Sequence, residues 1–167
     1  MGYQEHKHKA PKSISCAVLT ISDTRTERDD ESGRLIRQKL SETGHRVILH
    51  CILKNEADSI REKIYELLKE EELQAIIATG GTGVSRRDIT VETIYPILEK
   101  KLDGFGELFR FLTYSEIGTG SIMSRAIAGV AEGKVILCLP GSLEAAKLAM
   151  NKIILPELGH LVMEATR

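Results

Sequence analysis

The chain predicts an α/β fold: a three-layer α/β/α sandwich around a mostly parallel sheet, with an antiparallel hairpin or edge strand. Three observations predict it. Short apolar runs alternate with segments of helical periodicity along most of the chain. The run at residues 75–78 is uninterrupted by polar residues, as suits a strand covered on both faces. Two late apolar runs are separated by a few residues around Glu132-Gly133, a spacing that suits a hairpin.

Taken in order, residues 1–12 are polar and charged and read as a disordered tail, with His6 and His8 a solvated pair rather than a chelating one. Residues 13–167 read as a single domain. A β-branched and aliphatic strand at residues 14–21 stops at Ser22-Asp23-Thr24-Arg25. From Ser32, Leu35, Ile36 and Leu40 recur at helical spacing until Thr43-Gly44. A second strand covers residues 47–53, and a helix follows with Ile60, Ile64, Leu67 and Leu68 inside. After the third strand and its Thr79-Gly80-Gly81-Thr82-Gly83 loop, helical spacing runs through Val91, Ile94 and Leu98. It resumes through Phe105, Leu108, Phe109 and Leu112 beyond a break at Asp103-Gly104. Residues 126–130 and 135–139 form the hairpin, and two more helices follow, joined near Pro156.

Bulk properties exclude some functions. With 167 residues there is length for one sizeable core, burying roughly two-thirds of the unfolded surface. The 23 basic and 24 acidic side chains nearly cancel, so no net field gathers nucleic acid or anionic lipid. No secretory core or membrane-length apolar run is present, and a cytoplasmic protein is expected. Cys16, Cys51 and Cys138 each sit within an apolar strand-like run, as buried inert thiols do.

In a parallel sheet, ligands bind beyond the carboxyl ends of the strands. The polar, glycine-rich loops expected at that edge are residues 22–25, Asn55-Glu56, residues 80–88 and residues 140–142. Three glycines in Gly80-Gly81-Thr82-Gly83 permit a nest of backbone N–H groups around an anion; an ordinary tight turn is the alternative. The loop is neither a Walker loop nor a Gly-x-Gly-x-x-Gly fingerprint. Just beyond it, Arg86 and Arg87 can clamp phosphate oxygens and Asp88 can hold a magnesium ion that bridges phosphates. Competing roles exist: Thr90 as a helix N-cap, and Asp88 as a helix-start acid. Asp23 and Arg25 read equally as a surface pair, and Asp29, Asp30 and Glu31 as a solvated charge run. Ser124-Arg125 offers donors to a polar ligand, or plain surface-loop chemistry.

Taken together, Ser22-Asp23-Thr24-Arg25, Gly80-Gly81-Thr82-Gly83, Arg87-Asp88-Ile89-Thr90, Gly104-Phe105, Ser124-Arg125 and Leu139-Pro140-Gly141-Ser142 resemble, in order and spacing, the molybdenum cofactor biosynthesis family. The resemblance runs from about residue 14 to the C-terminus. It implies a homotrimer or homohexamer, other enzymes of the pathway as partners, and a pocket for molybdopterin. The family's enzymatic members adenylylate that pterin with ATP and Mg2+. By matching motifs, Gly80, Gly81, Thr82 and Gly83 would hold phosphate or pterin, with Ser22, Asp23, Arg87, Thr90, Ser124, Pro140, Gly141 and Ser142 around them, and Asp88 as the acid and metal ligand. One departure bears on catalysis: the enzymatic members carry an aspartate where this chain has Asn55, an uncharged and poorer magnesium ligand. Glu56 is the neighbouring carboxylate that would have to compensate. Two functions therefore stay open, a molybdopterin adenylyltransferase and a non-catalytic pterin- or nucleotide-binding oligomer. A smaller departure is Leu143, where the family usually has proline, and it bears on the helix start alone.

Overall fold

The computed structural model describes residues 2–167. Six strands form one mixed sheet in the order β2-β1-β3-β6-β5-β4. The strands are β1 (Ser15–Ile21), β2 (Arg46–Leu53), β3 (Ala75–Thr79), β4 (Lys100–Lys101), β5 (Ile127–Ala131) and β6 (Lys134–Leu139). The first four in spatial order run parallel, while β5 and β4 run antiparallel to their neighbours. Helices α2 (Glu31–Glu42), α3 (Ala57–Leu68), α4 (Thr90–Ile94), α5 (Asp103–Ile117), α6 (Leu143–Ala149) and α7 (Leu155–Ala165) cover both faces.

Side-chain alternation along the strands divides the core in two. Cys16 and Val18 of β1, Ala75 and Ile77 of β3, and Val135, Leu137 and Leu139 of β6 pack on the layer formed by α2, α5, α6 and α7. Their neighbours Ala17, Leu19, Ile76, Ala78, Ile136 and Cys138 pack on α3 and α4. A strand buried on both sides needs apolar residues at every position, which is why the period-two signal is absent from these runs. Burial pushes the thiols of Cys16 and Cys138 up to about 12, which keeps both inert at neutral pH.

The β5–β6 hairpin is closed by Glu132 and Gly133, both at positive φ (48° and 73°), the signature of a turn that matches the sheet's twist. Three expectations are corrected. The opening segment is not a loose tip: Tyr3–Lys9 forms a helix, α1, which docks on α7 through Lys7 and Tyr3 to Glu157 and His6 to Glu164. Helix α4 ends at Ile94 because Pro96 cannot continue it, and a 3-10 turn leads to the short edge strand β4. No break separates the last two helices, because a π turn over Met150–Ile154 carries α6 into α7. Pro156, which has no N–H to give, is accommodated directly after that widened turn.

Chain order now fixes where a ligand can sit. From β1 the chain passes outward to β2 and returns on the other side of β1 as β3. The strand order therefore reverses between β1 and β3, and the crevice at their carboxyl ends is the natural binding place of such a sheet.

Candidate functional site

That crevice opens into a cavity of about 820 Å³ lined by the loops after β1, β3 and β6, with Asn55 beyond β2, and by α5, α6 and the 3-10 turn after α5. Ser22, Asp23, Asn55, Gly80, Gly81, Thr82, Gly83, Arg87, Asp88, Ser124, Pro140, Gly141 and Ser142 all face it. Glu56 does not: it is exposed at the start of α3, where its carboxylate accepts from the Ser59 hydroxyl at 3.3 Å. Phe109, Ile117, Met123 and Leu148 add apolar surface to the cavity lining, a feature the site motifs do not carry because these residues lie on α5, α6 and the 3-10 turn.

The glycine loop is held from behind. Thr90 donates its hydroxyl to the Gly80 carbonyl at 2.8 Å and its N–H to the Gly81 carbonyl at 2.9 Å. Arg125 donates from Nε to the Thr82 carbonyl at 3.1 Å and from Nη2 to the Gly83 carbonyl at 2.5 Å. All the peptides among the described residues are trans, and in a trans peptide the N–H points away from the C=O. With four consecutive carbonyls turned to Thr90 and Arg125, the N–H groups of Gly81, Thr82, Gly83 and Val84 point the opposite way, and none has an acceptor among the described residues. That is the geometry of an anion nest. Glycine is required at Gly80 and Gly81, whose φ values are +101° and +65°. Gly83 lacks positive φ, but a Cβ there would lie 2.6 Å from Asp88 Oδ2.

Two roles read from the sequence change. Ile89, not Thr90, is the N-cap of α4, so the Thr90 hydroxyl is free to fasten the loop from outside the cavity. Arg125 lies outside the cavity lining, its guanidinium divided between the loop carbonyls and Glu92.

At the rim, Asp23 accepts from Arg87 Nε at 2.8 Å through one oxygen and from the Asn55 N–H at 3.0 Å through the other. The Asn55 backbone N–H, and then the Arg87 guanidinium, hold the Asp23 carboxyl below the ordinary carboxylate range. The Asn55 side-chain Oδ1 is buried with no partner, close to Gly81. Ser124 Oγ is likewise buried without a partner. Ser142 is the N-cap of α6, its oxygen accepting from the Ala145 N–H at 3.2 Å.

The acidic run ahead of α2 is not solvated throughout. Asp30 is 2 % exposed and caps α2 by accepting from the Gly33 N–H at 2.9 Å. Its second oxygen takes the Thr20 hydroxyl at 2.6 Å and lies 3.1 Å from His50 Nε2. The usable signal was Thr20, a polar residue in the Cys16, Val18 series of inward positions.

For magnesium, no group of three or more carboxylate, histidine or cysteine side chains converges among the described residues. Asp88 lines the cavity with one oxygen accepting from the Ser85 N–H at 3.0 Å. This fits an ion held chiefly by phosphates and water with one protein carboxylate, a common arrangement for magnesium.

Residues 17–160 match the family described as "Probable molybdopterin binding domain". Over 98% of its length the chain is 47% identical to molybdenum cofactor biosynthesis protein B of Bacillus subtilis, covering 97% of that protein. The Bacillus cereus protein of the same name is 45% identical over 100% of this chain and 99% of its own. Among solved structures, a crystal structure of molybdenum cofactor biosynthesis protein B superimposes with a TM-score of 0.90 at 45% identity, covering 94% of this chain and 98% of that one. The tungsten cofactor synthesizing protein MoaB from Pyrococcus furiosus superimposes with 0.86 at 36% identity, covering 95% and 100%. With one family spanning the sheet, the crevice and every loop that lines it, the chain belongs to the molybdenum cofactor biosynthesis family that carries the molybdopterin-binding domain.

Proposed function

We propose that the chain binds molybdopterin, with the terminal phosphate in the nest of Gly81 to Val84 amides and the ring system toward the apolar part of the cavity lining, and transfers an adenylyl group from ATP to that phosphate. One observation carries the reading: four carbonyls of the glycine loop are turned to Thr90 and Arg125, which leaves their partner N–H groups pointing the other way with no acceptor among the described residues, beside an 820 Å³ cavity that Gly81, Thr82 and Gly83 line. A homo-oligomer belongs to the same proposal.

In the transfer, an oxygen of the pterin phosphate forms a bond to the α-phosphorus of ATP, and the bond from that phosphorus to the β-phosphate oxygen breaks, releasing pyrophosphate. A phosphate is already an anionic nucleophile at neutral pH, so no base is needed to activate it. The chain's contribution is alignment and charge. The loop amides hold one phosphate, Arg87 offers the N–H groups that Asp23 leaves unused, and Asp88 supplies a carboxylate to a magnesium ion brought in on the nucleotide. Such an ion, when bound, neutralises the leaving pyrophosphate.

A second reading, binding without turnover, is favoured by Asn55. With an uncharged side chain at position 55 beside it, Asp23 stays committed to the Arg87 guanidinium and the Asn55 backbone N–H. An aspartate at position 55 would set two carboxylates side by side and recruit a cation between them. The test is purified protein with molybdopterin and Mg-ATP, assayed for adenylylated molybdopterin and pyrophosphate. Slow product formation that accelerates in Asn55→Asp is expected. If neither protein forms product while molybdopterin binds, the binding function stands and the transfer is withdrawn.

A further inference from the structure

Resting on the anion-nest reading above, we propose that Arg125 is a positioning residue that aims the second half of the nest, while Thr90 independently aims the first half. The division follows from which carbonyl each residue holds. Thr90 takes the Gly80 and Gly81 carbonyls, and so sets the N–H groups of Gly81 and Thr82. Arg125 takes the Thr82 and Gly83 carbonyls, and so sets the N–H groups of Gly83 and Val84.

Arginine chemistry suits the task. Two adjacent carbonyls and a carboxylate must be met by one planar group, and the guanidinium presents several N–H donors in a rigid fork. Nε and Nη2 go to the loop; Nη1, with Nη2 at 3.3 Å, goes to Glu92. Glu92 lies in the first turn of α4, the helix that also carries Thr90, so one fastener and the anchor of the other issue from one element. The Arg125 hydrogen bond holds the Glu92 carboxyl below its ordinary range, consistent with a charged pair at neutral pH. A lysine ammonium has no fixed fork and cannot hold both carbonyls and Glu92 in one plane.

The experiment follows the backbone amide resonances of residues 81–84 during a titration with inorganic pyrophosphate. In the unaltered protein all four amides shift with saturation. In Arg125→Lys, the Gly83 and Val84 responses are lost, the Gly81 and Thr82 responses persist, and affinity falls about tenfold, the equivalent of one charge-assisted hydrogen bond. Thr90→Val, which removes the hydroxyl but keeps the backbone N–H on the Gly81 carbonyl, loses the Gly81 response while those of Thr82, Gly83 and Val84 persist. Should Arg125→Lys be poorly folded, Glu92→Gln keeps the guanidinium but loosens its anchor, and a smaller loss confined to Gly83 and Val84 is expected. Equal responses of all four amides in a folded Arg125→Lys or Glu92→Gln protein overturn the division of labour. Silence of all four in the unaltered protein overturns the nest itself, and the positioning role with it.

Discussion

At the scale of single residues, Gly81 is the position where backbone and site are bound together most tightly. Its φ of +65° is one that a β-branched residue adopts only under strain, and a Cβ would sit 2.5 Å from the buried Asn55 Oδ1. Gly81→Val therefore costs about 1–3 kcal/mol in backbone strain. It also turns amides away from the cavity; losing two charge-assisted hydrogen bonds at roughly 1.5–3 kcal/mol each weakens pyrophosphate binding about 100-fold or more. Calorimetric titration of the variant checks this, and unchanged affinity would exclude the nest. The need for glycine here was legible, because three glycines in four positions at a strand's end permit positive φ, though the sequence left an anion nest and a tight turn equally open. Other residue roles were not. Thr90 reads as a cap from its place before Val91, yet the helix starts one residue earlier, and what its hydroxyl reaches depends on a carbonyl ten positions away. Glu56 stands beside Asn55 in sequence but sits exposed at the start of α3.

At the scale of elements, the start of α2 shows how a helix terminus is tied into the floor of the site. Asp30 is both the N-cap and the shared acceptor of Thr20 and His50, and Ser32 in the next turn donates to the Gly141 carbonyl at 2.8 Å. Asp30→Ala removes a cap, about 1 kcal/mol, and leaves the buried Thr20 hydroxyl and His50 N–H unpartnered, about 1–3 kcal/mol for each group. A loss of roughly 3 kcal/mol or more in urea denaturation is expected, whereas Asp29→Ala, at an exposed position, should cost well under that. Equal effects would mean that the pair contributes nothing beyond surface charge. Strands β1, β3 and β6 and helices α2, α3 and α5 were readable because apolar spacing is set locally. The Asp30 network was hidden because an Asp-Asp-Glu run gives no sign of which acid turns inward until β2 brings His50 opposite Val18.

At the scale of the whole molecule, the three layers and the use of the strands' carboxyl edge were legible from alternation of strands and helices, since few topologies satisfy it, whereas the reversal of strand order between β1 and β3 was not. The edge beyond β5 was not, because a two-residue strand carries no periodic signal. Nor was the outer surface of α5, since exposure is a property of the folded chain. That helix buries Phe105 and Phe109 against the sheet, yet Leu108, Phe111, Tyr114 and Ile117 remain exposed on its other side, with Ile122 and Met123 just beyond. A helix in an isolated chain needs one apolar stripe, not two. Contiguous exposed apolar groups of this kind mark a contact surface, and a second copy of the chain is the occupant that the proposed homo-oligomer supplies. Light scattering on the eluting protein should return a multiple of 18.5 kDa. The double variant Phe111→Glu with Ile122→Glu, neither of which lines the main cavity, should return the single-chain mass with its melting temperature largely retained. Because Ile117 and Met123 border both the stripe and the cavity, a copy seated there would also help to close the site, so the single-chain variant should bind molybdopterin more weakly. A single-chain mass for the unaltered protein would instead leave the stripe to a different partner and remove the oligomer from the proposal.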